Sequence, residues 1–158
     1  MAKFKFGVIL SEDTMITARI ADSITPATSP LADADREKFV KLIGDSQYGL
    51  AAVGNEIEGV LNSVNVATQD GYAIGGVQDE GRVKVTLDGI QATPGTGVIA
   101  VGDYVVCGTV VARGTALGGY PKVCKATAAS GGLTFKWRVV VLDGTGAVGQ
   151  TGLIEFVG

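Results

Sequence analysis

The sequence predicts an all-β protein: a small barrel or sandwich of about ten to twelve short, mainly antiparallel strands, with an N-terminal arm and little helix. Three observations lead there. Of the 158 residues, 24 are glycine, about twice the usual share, scattered among Val, Ile and Thr without a period. That placement suits tight turns, where the backbone needs a positive φ. Apolar residues recur at every second position in one stretch after another, the period of a half-buried strand. Asp-Gly and Gly-Asp pairs punctuate those stretches, and Asp-Gly favours the tight turns of hairpins.

Length and composition set bounds. A chain of this length fits one domain with a real core. Hydrophobic residues make up 46% and charged residues 18%, which excludes intrinsic disorder. No apolar run approaches the length of a membrane span, so no membrane partner is expected. The net charge of −3 and the lack of a basic cluster argue against a nucleic-acid partner. The start, Met1-Ala2-Lys3, has neither the long apolar core nor the cleavage site of a signal peptide. Production in a cytoplasm is expected.

Along the chain, Lys3 to Leu10 alternates Phe4, Phe6 and Val8 against Lys3, Lys5 and Gly7. Met15 to Ile20 alternates again after a Glu12-Asp13 turn. Pro26 and Pro30 then bar a central strand or a helix interior. Residues 1–30 therefore read as an N-terminal β arm and connector, and residues 31–158 as the main β domain. After Asp33 and Asp35, a capped helix competes with a strand over Lys38 to Leu42. The strand is preferred, because Gly44 ends the segment too soon for a stable helix. Ile57 to Val66 alternates for longer than one strand needs, which points to a bulge near Asn62. Asp70-Gly71 turns into a return strand from Tyr72 to Val77. Arg82 to Leu87 places Val83, Val85 and Leu87 inward, and Asp88-Gly89 reads as a turn. Pro94-Gly95 is another, before a strand from Val98 to Val101. Gly102-Asp103 launches Tyr104 to Cys107, Thr109 to Ala112 is a further short strand, and Tyr120 to Val123 begins the next. Leu133 to Leu142 places Phe135, Trp137, Val139 and Val141 on one face. Leu153 to Val157 closes the chain.

Candidate chemistry is sparse. Asp70, Asp88, Asp103 and Asp143 each sit beside a glycine, in turn slots where Asp bonds the nearby backbone. The spacing of a calcium loop is absent. Gly144 to Gly149 matches Gly-x-Gly-x-x-Gly, but that spacing binds phosphate only before a helix, and Gln150 to Val157 is patterned as a strand. The sequence contains no histidine, which rules out a Ser-His-Asp or Cys-His nucleophile and leaves few metal ligands. Cys107 and Cys124 read as buried thiols, with a disulfide as the alternative. Trp137 reads as a core residue in preference to a stacking platform. The expectation is a protein with no catalytic residue, no cofactor and no metal.

Several stretches, taken in order, resemble the β-rich decoration (structural cement) proteins of tailed bacteriophage heads. They are Lys38 to Leu42, Gly54 to Val60, Thr68 to Tyr72 with Ile74-Gly75, Gly81-Arg82-Val83, Val101 to Gly108, and Trp137-Arg138-Val139 with Gly149-Gln150. The resemblance covers roughly residues 35–158 and rests on their succession, since each is strand-and-turn grammar. It implies a virion protein on the outer capsid surface. Such a protein bridges major capsid subunits, stabilises the shell and is commonly a homotrimer. Phe4, Phe6, Val8 and Leu10 would then be interface residues of an arm that adds to a neighbour's sheet. Alternatives are another phage structural β-protein, of tail or baseplate, or a carbohydrate-binding β-sandwich. The last would want exposed aromatics, and the chain has only five Phe, four Tyr and one Trp.

Overall fold

The computed structural model describes residues 15–22, 30–44, 47–66, 72–110, 119–127 and 135–158. Within them lie eleven strands: β1 (Met15–Ile20), β2 (Phe39–Gly44), β3 (Gln47–Leu50), β4 (Gly59–Asn65), β5 (Ala73–Gln78), β6 (Arg82–Ile90), β7 (Thr93–Pro94), β8 (Val105–Cys107), β9 (Lys122–Lys125), β10 (Trp137–Leu142) and β11 (Thr151–Phe156). The fold is all-β, as the sequence predicts. Phe4, Phe6, Val8 and Leu10 lie outside the described residues.

Strands β1 to β5 form a closed barrel in the order β1-β3-β2-β4-β5. β1 runs parallel to β3 and antiparallel to β5, and so completes the ring. The alternation in β1 sends Ile16, Ala18 and Ile20 inward, against Val40, Tyr48, Leu61, Ala73 and Val77, and leaves Met15 and Thr17 exposed. The barrel thus takes in residues that the sequence groups with the N-terminal arm. Before β2 the chain makes one 3-10 turn, Asp33–Asp35, in place of a longer helix. Asp35 fixes it, accepting from the Ala32 amide at 2.9 Å and from Lys38 Nζ at 2.7 Å. Against β5, the register of β4 slips between Leu61 and Ser63, which puts the bulge at Asn62.

The second sheet has the order β10-β11-β6-β9-β8, with β7 beside the end of β6. It curls until its two edge strands meet. Tyr104 bridges Arg138, the Gly102 amide donates to Val139 O at 2.8 Å, and the Val139 amide donates to Asp103 O at 2.9 Å. The outer edge of β8 is taken by the loop between β3 and β4. There the Gly54 amide donates to Cys107 O at 2.8 Å, and the Cys107 amide donates to Asn55 O at 2.9 Å. An unpaired strand edge is a template for aggregation, and these contacts remove one.

The two sheets share a core. Val83, Val85 and Leu87 point inward with Val105, Val123, Trp137, Val139 and Ile154, and Phe39, Ala51, Ile57 and Val60 enter from the barrel side. The first residues of β2 and β4 are therefore buried on both faces: Phe39 and Val60 meet the second sheet, while Val40 and Leu61 fill the barrel.

Four local expectations are corrected. Asp88-Gly89 does not end its strand, because β6 continues to Ile90. The pair instead forms an irregularity in the β6–β9 register between Leu87 and Ile90, with Gly89 at φ 83°. Val141 does not share the buried face of Trp137 and Val139: it is 42% exposed, while they are 1% exposed. A register shift between Val139 and Val141 against β11 inserts Val140 as an extra residue and reverses the alternation. Thr109 and Val110 lie outside any strand, and neither Val98 nor Val101 belongs to one.

Candidate functional site

The glycine-flanked carboxylates are consumed by structure. Asp103 Oδ2 accepts from the Ala100 amide at 2.7 Å, and Oδ1 pairs with Lys125 Nζ at 2.9 Å. Asp88 is buried; it accepts from the Thr109 amide at 2.8 Å and pairs with Lys122 Nζ at 3.5 Å. Asp143 accepts from the Thr151 hydroxyl. That bond, with Lys84 beside it, holds the Asp143 carboxyl below its ordinary range. Asp70 lies outside the described residues. Among the described residues, no group of three or more acids and cysteines could hold a metal ion.

The Gly144–Gly149 loop is a hairpin turn between β10 and β11. The amides that a phosphate would need are spent on Gln150, whose Oε1 accepts from Gly146 N at 2.9 Å and from Ala147 N at 3.1 Å. The Gly149 amide donates to Leu87 O at 2.8 Å. The segment that follows is β11, with no helix N-terminus to supply further donors.

Cys107 and Cys124 are free and buried. On paired strands they stand opposite Val123 and Val106 respectively, so their side chains point to opposite faces, and a disulfide between them would need the backbone to move. Burial is the main cause that pushes the thiols up, to about 12 for Cys107 and about 11 for Cys124. Neither is a nucleophile near neutral pH. Trp137 is core, packed edge-on against Phe156 with ring centroids 5.7 Å apart.

Two recesses lie where the barrel meets the second sheet. One, bordered by Phe39, Cys107, Tyr120 and Lys122, has a volume of about 20 Å³, room for about one water. The other is an open groove of about 440 Å³ along Val60, Gln78, Arg82, Val83, Lys84 and Tyr120. Its cations are engaged: Arg82 with Glu155 at 3.1 Å and Lys84 with Asp143 at 3.6 Å.

The surface feature that remains is apolar. Val98, Val101, Tyr104, Val141 and Val148 are all at least 40% exposed. Val141 lies on β10 itself, and the turns that carry Val98, Val101 and Tyr104 are tied to β10 and to the 143–149 hairpin that carries Val148. Val98 bridges Ala147, the Ile99 amide donates to Gly146 O at 3.0 Å, and the 102–103 backbone pairs with Val139. The sequence reading missed this row, because it took Val98 to Val101 as a strand and Val141 as core. Valines wedged between glycines, as in Gly97-Val98 and Val101-Gly102, were the available signal: they favour a turn over a buried strand.

No protein-family model matches the chain, and comparison with curated proteins and with solved structures finds no significant match.

Proposed function

We propose that the protein is a capsid decoration protein, seated on the outside of a bacteriophage head as a homotrimer, where it bridges neighbouring major capsid subunits and stabilises the shell. The supporting observation is the exposure of Val98, Val101, Tyr104 and Val148 on turns that backbone hydrogen bonds tie to β10 and its hairpin, together with exposed Val141 on β10 itself. Exposed apolar side chains grouped on a rigid body mark a protein-contact surface. In this reading the arm residues Phe4, Phe6, Val8 and Leu10 add a strand to a neighbouring subunit. Modest individual contacts then combine through the symmetry of the shell.

The test is co-sedimentation with expanded heads that lack the protein. The wild type should pellet with heads and not with free capsid subunits, and the double variant Val101→Ser, Tyr104→Ser should remain largely in the supernatant. Failure of the wild type to bind any head form would overturn the reading.

A further inference from the structure

Where the barrel ring closes, half of one strand is left without a neighbour. β1 meets β5 over its whole length, from Met15 to Ile20. It meets β3 only at Arg19 and Ile20, because β3 starts at Gln47. Among the described residues, nothing pairs with the other edge of residues 15–18. The Ala21 amide donates to Tyr48 O at 2.8 Å, on the β3 side. Successive residues of a strand turn their amide and carbonyl to alternate edges, so those of Met15 and Thr17 face the open edge. Side-chain burial marks the same gap. Ile20, flanked by β3 and β5, is fully buried. Ile16 and Ala18 point the same way but are only half-buried, as is Ile43 at the end of β2.

We propose that the open edge of β1 is the docking site of the chain's own residues 3–10, which add to the barrel as a short strand antiparallel to β1. The segment outside the described residues, 1–14, joins the fold at Met15, the first residue of the open edge. Residues 11–14 suffice to reverse its direction, since hairpin loops of about three to five residues are common. The edge calls for a strand with one apolar face, and residues 3–10 supply it, with Phe4, Phe6, Val8 and Leu10 on one side. The registers that a short turn allows with this side inward set Val8 beside Ile16 or beside Ala18, covering both half-buried side chains. A slip of one residue would turn Phe6 and Val8 to water. From Arg19 onward β3 holds the edge, so the ladder stops there and Phe4 lies beyond it. The docking depends on the β1 edge and not on capsid binding. The docked strand keeps an outer edge, and Phe4 past the end of the ladder, to offer to a neighbouring subunit.

The experiment is residue-resolved amide hydrogen exchange on the full chain. In the wild type, the Thr17 amide should exchange at least ~100-fold more slowly than in an unstructured chain. The double variant Phe6→Ser, Val8→Ser alters none of the described residues. It should lose most of the protection at Thr17, while the Ala18 amide, which faces β5, stays protected. Should Ala18 lose protection too, the single variant Val8→Ser decides. Phe4→Ser should leave Thr17 unchanged. A fast Thr17 amide in the wild type would overturn the docking, and so would protection that survives the substitutions. To tell the chain's own arm from that of a second copy, the isotope-labelled double variant is refolded with excess unlabelled wild type. Its Thr17 amide should stay fast; protection there would hand the edge to a second copy and overturn docking within one chain. Loss of head binding with Thr17 still protected counts against the capsid reading alone.

Discussion

The barrel strands use glycine for room alone, whereas the second sheet mostly uses it for left-handed backbone. In the barrel, Gly59 and Gly75 lie in strands with no positive φ. They are there for room: a Cβ on Gly59 would sit 2.5 Å from Val77 Cγ1, and one on Gly75 would sit 2.7 Å from Ser63 O. Beyond residue 80, most of the described glycines supply backbone shape, although Gly108 and Gly152 are again there for room. Gly89 and Gly146 take φ of 83° and 82°, and each also presses against a backbone carbonyl, that of Thr96 and that of Ile99. The contrast follows from how each sheet disposes of its edges. The barrel closes by strand pairing all the way round, which requires close approach of neighbouring strands. The second sheet closes through turns and a few bridges, which require left-handed backbone.

The largest blow to the second sheet should come from Trp137→Ala, at about 3–5 kcal/mol in urea unfolding, since it empties the centre of the shared core. A near-silent change would mean that the sheet does not lean on that core. Gly146→Ala should cost about 2–4 kcal/mol, combining the left-handed penalty with a collision against backbone that cannot swing aside. Smaller effects sharpen the contrast itself. Gly59→Ala should cost about 1–3 kcal/mol through overpacking. Gly95→Ala, where nothing stands within 4 Å of the new Cβ and φ is 86°, should cost about 1–2 kcal/mol through conformation alone. Asparagine tolerates left-handed backbone, so Gly95→Asn should recover part of that loss, whereas Gly59→Asn should be worse than Gly59→Ala. Equal responses at the two sites would erase the distinction.

The sequence was most legible where one face of a strand is buried and the other wet. Val83, Val85 and Leu87 on β6 are of this kind, and the bulge at Asn62 showed itself because the alternation ran too long for one strand. Legibility failed where the cause lies at long range or carries no local mark. The extra residue at Val140 sits in an unbroken run, Val139-Val140-Val141, with no turn residue to betray it. The closure of the barrel depends on β1 lying parallel to β3, a pairing that alternation cannot indicate. The Glu58–Lys136 bridge joins residues 78 positions apart, and each reads locally as an ordinary surface charge.

The docking of loop 51–58 on β8 has a consequence for how the chain is made. Cys107 Sγ reaches Ala51 O across 56 positions, in the same contact that buries Ile57 and Phe39. During synthesis from the N-terminus, the barrel segments leave the ribosome well before residue 107, so the outward faces of β2 and β4 wait in water for their cover. Contacts of such long sequence separation place the protein among slow, millisecond-to-second folders. Over that interval, Phe39, Ile57 and Val60 form the adhesive patch on which a chaperone or a second nascent chain would first take hold.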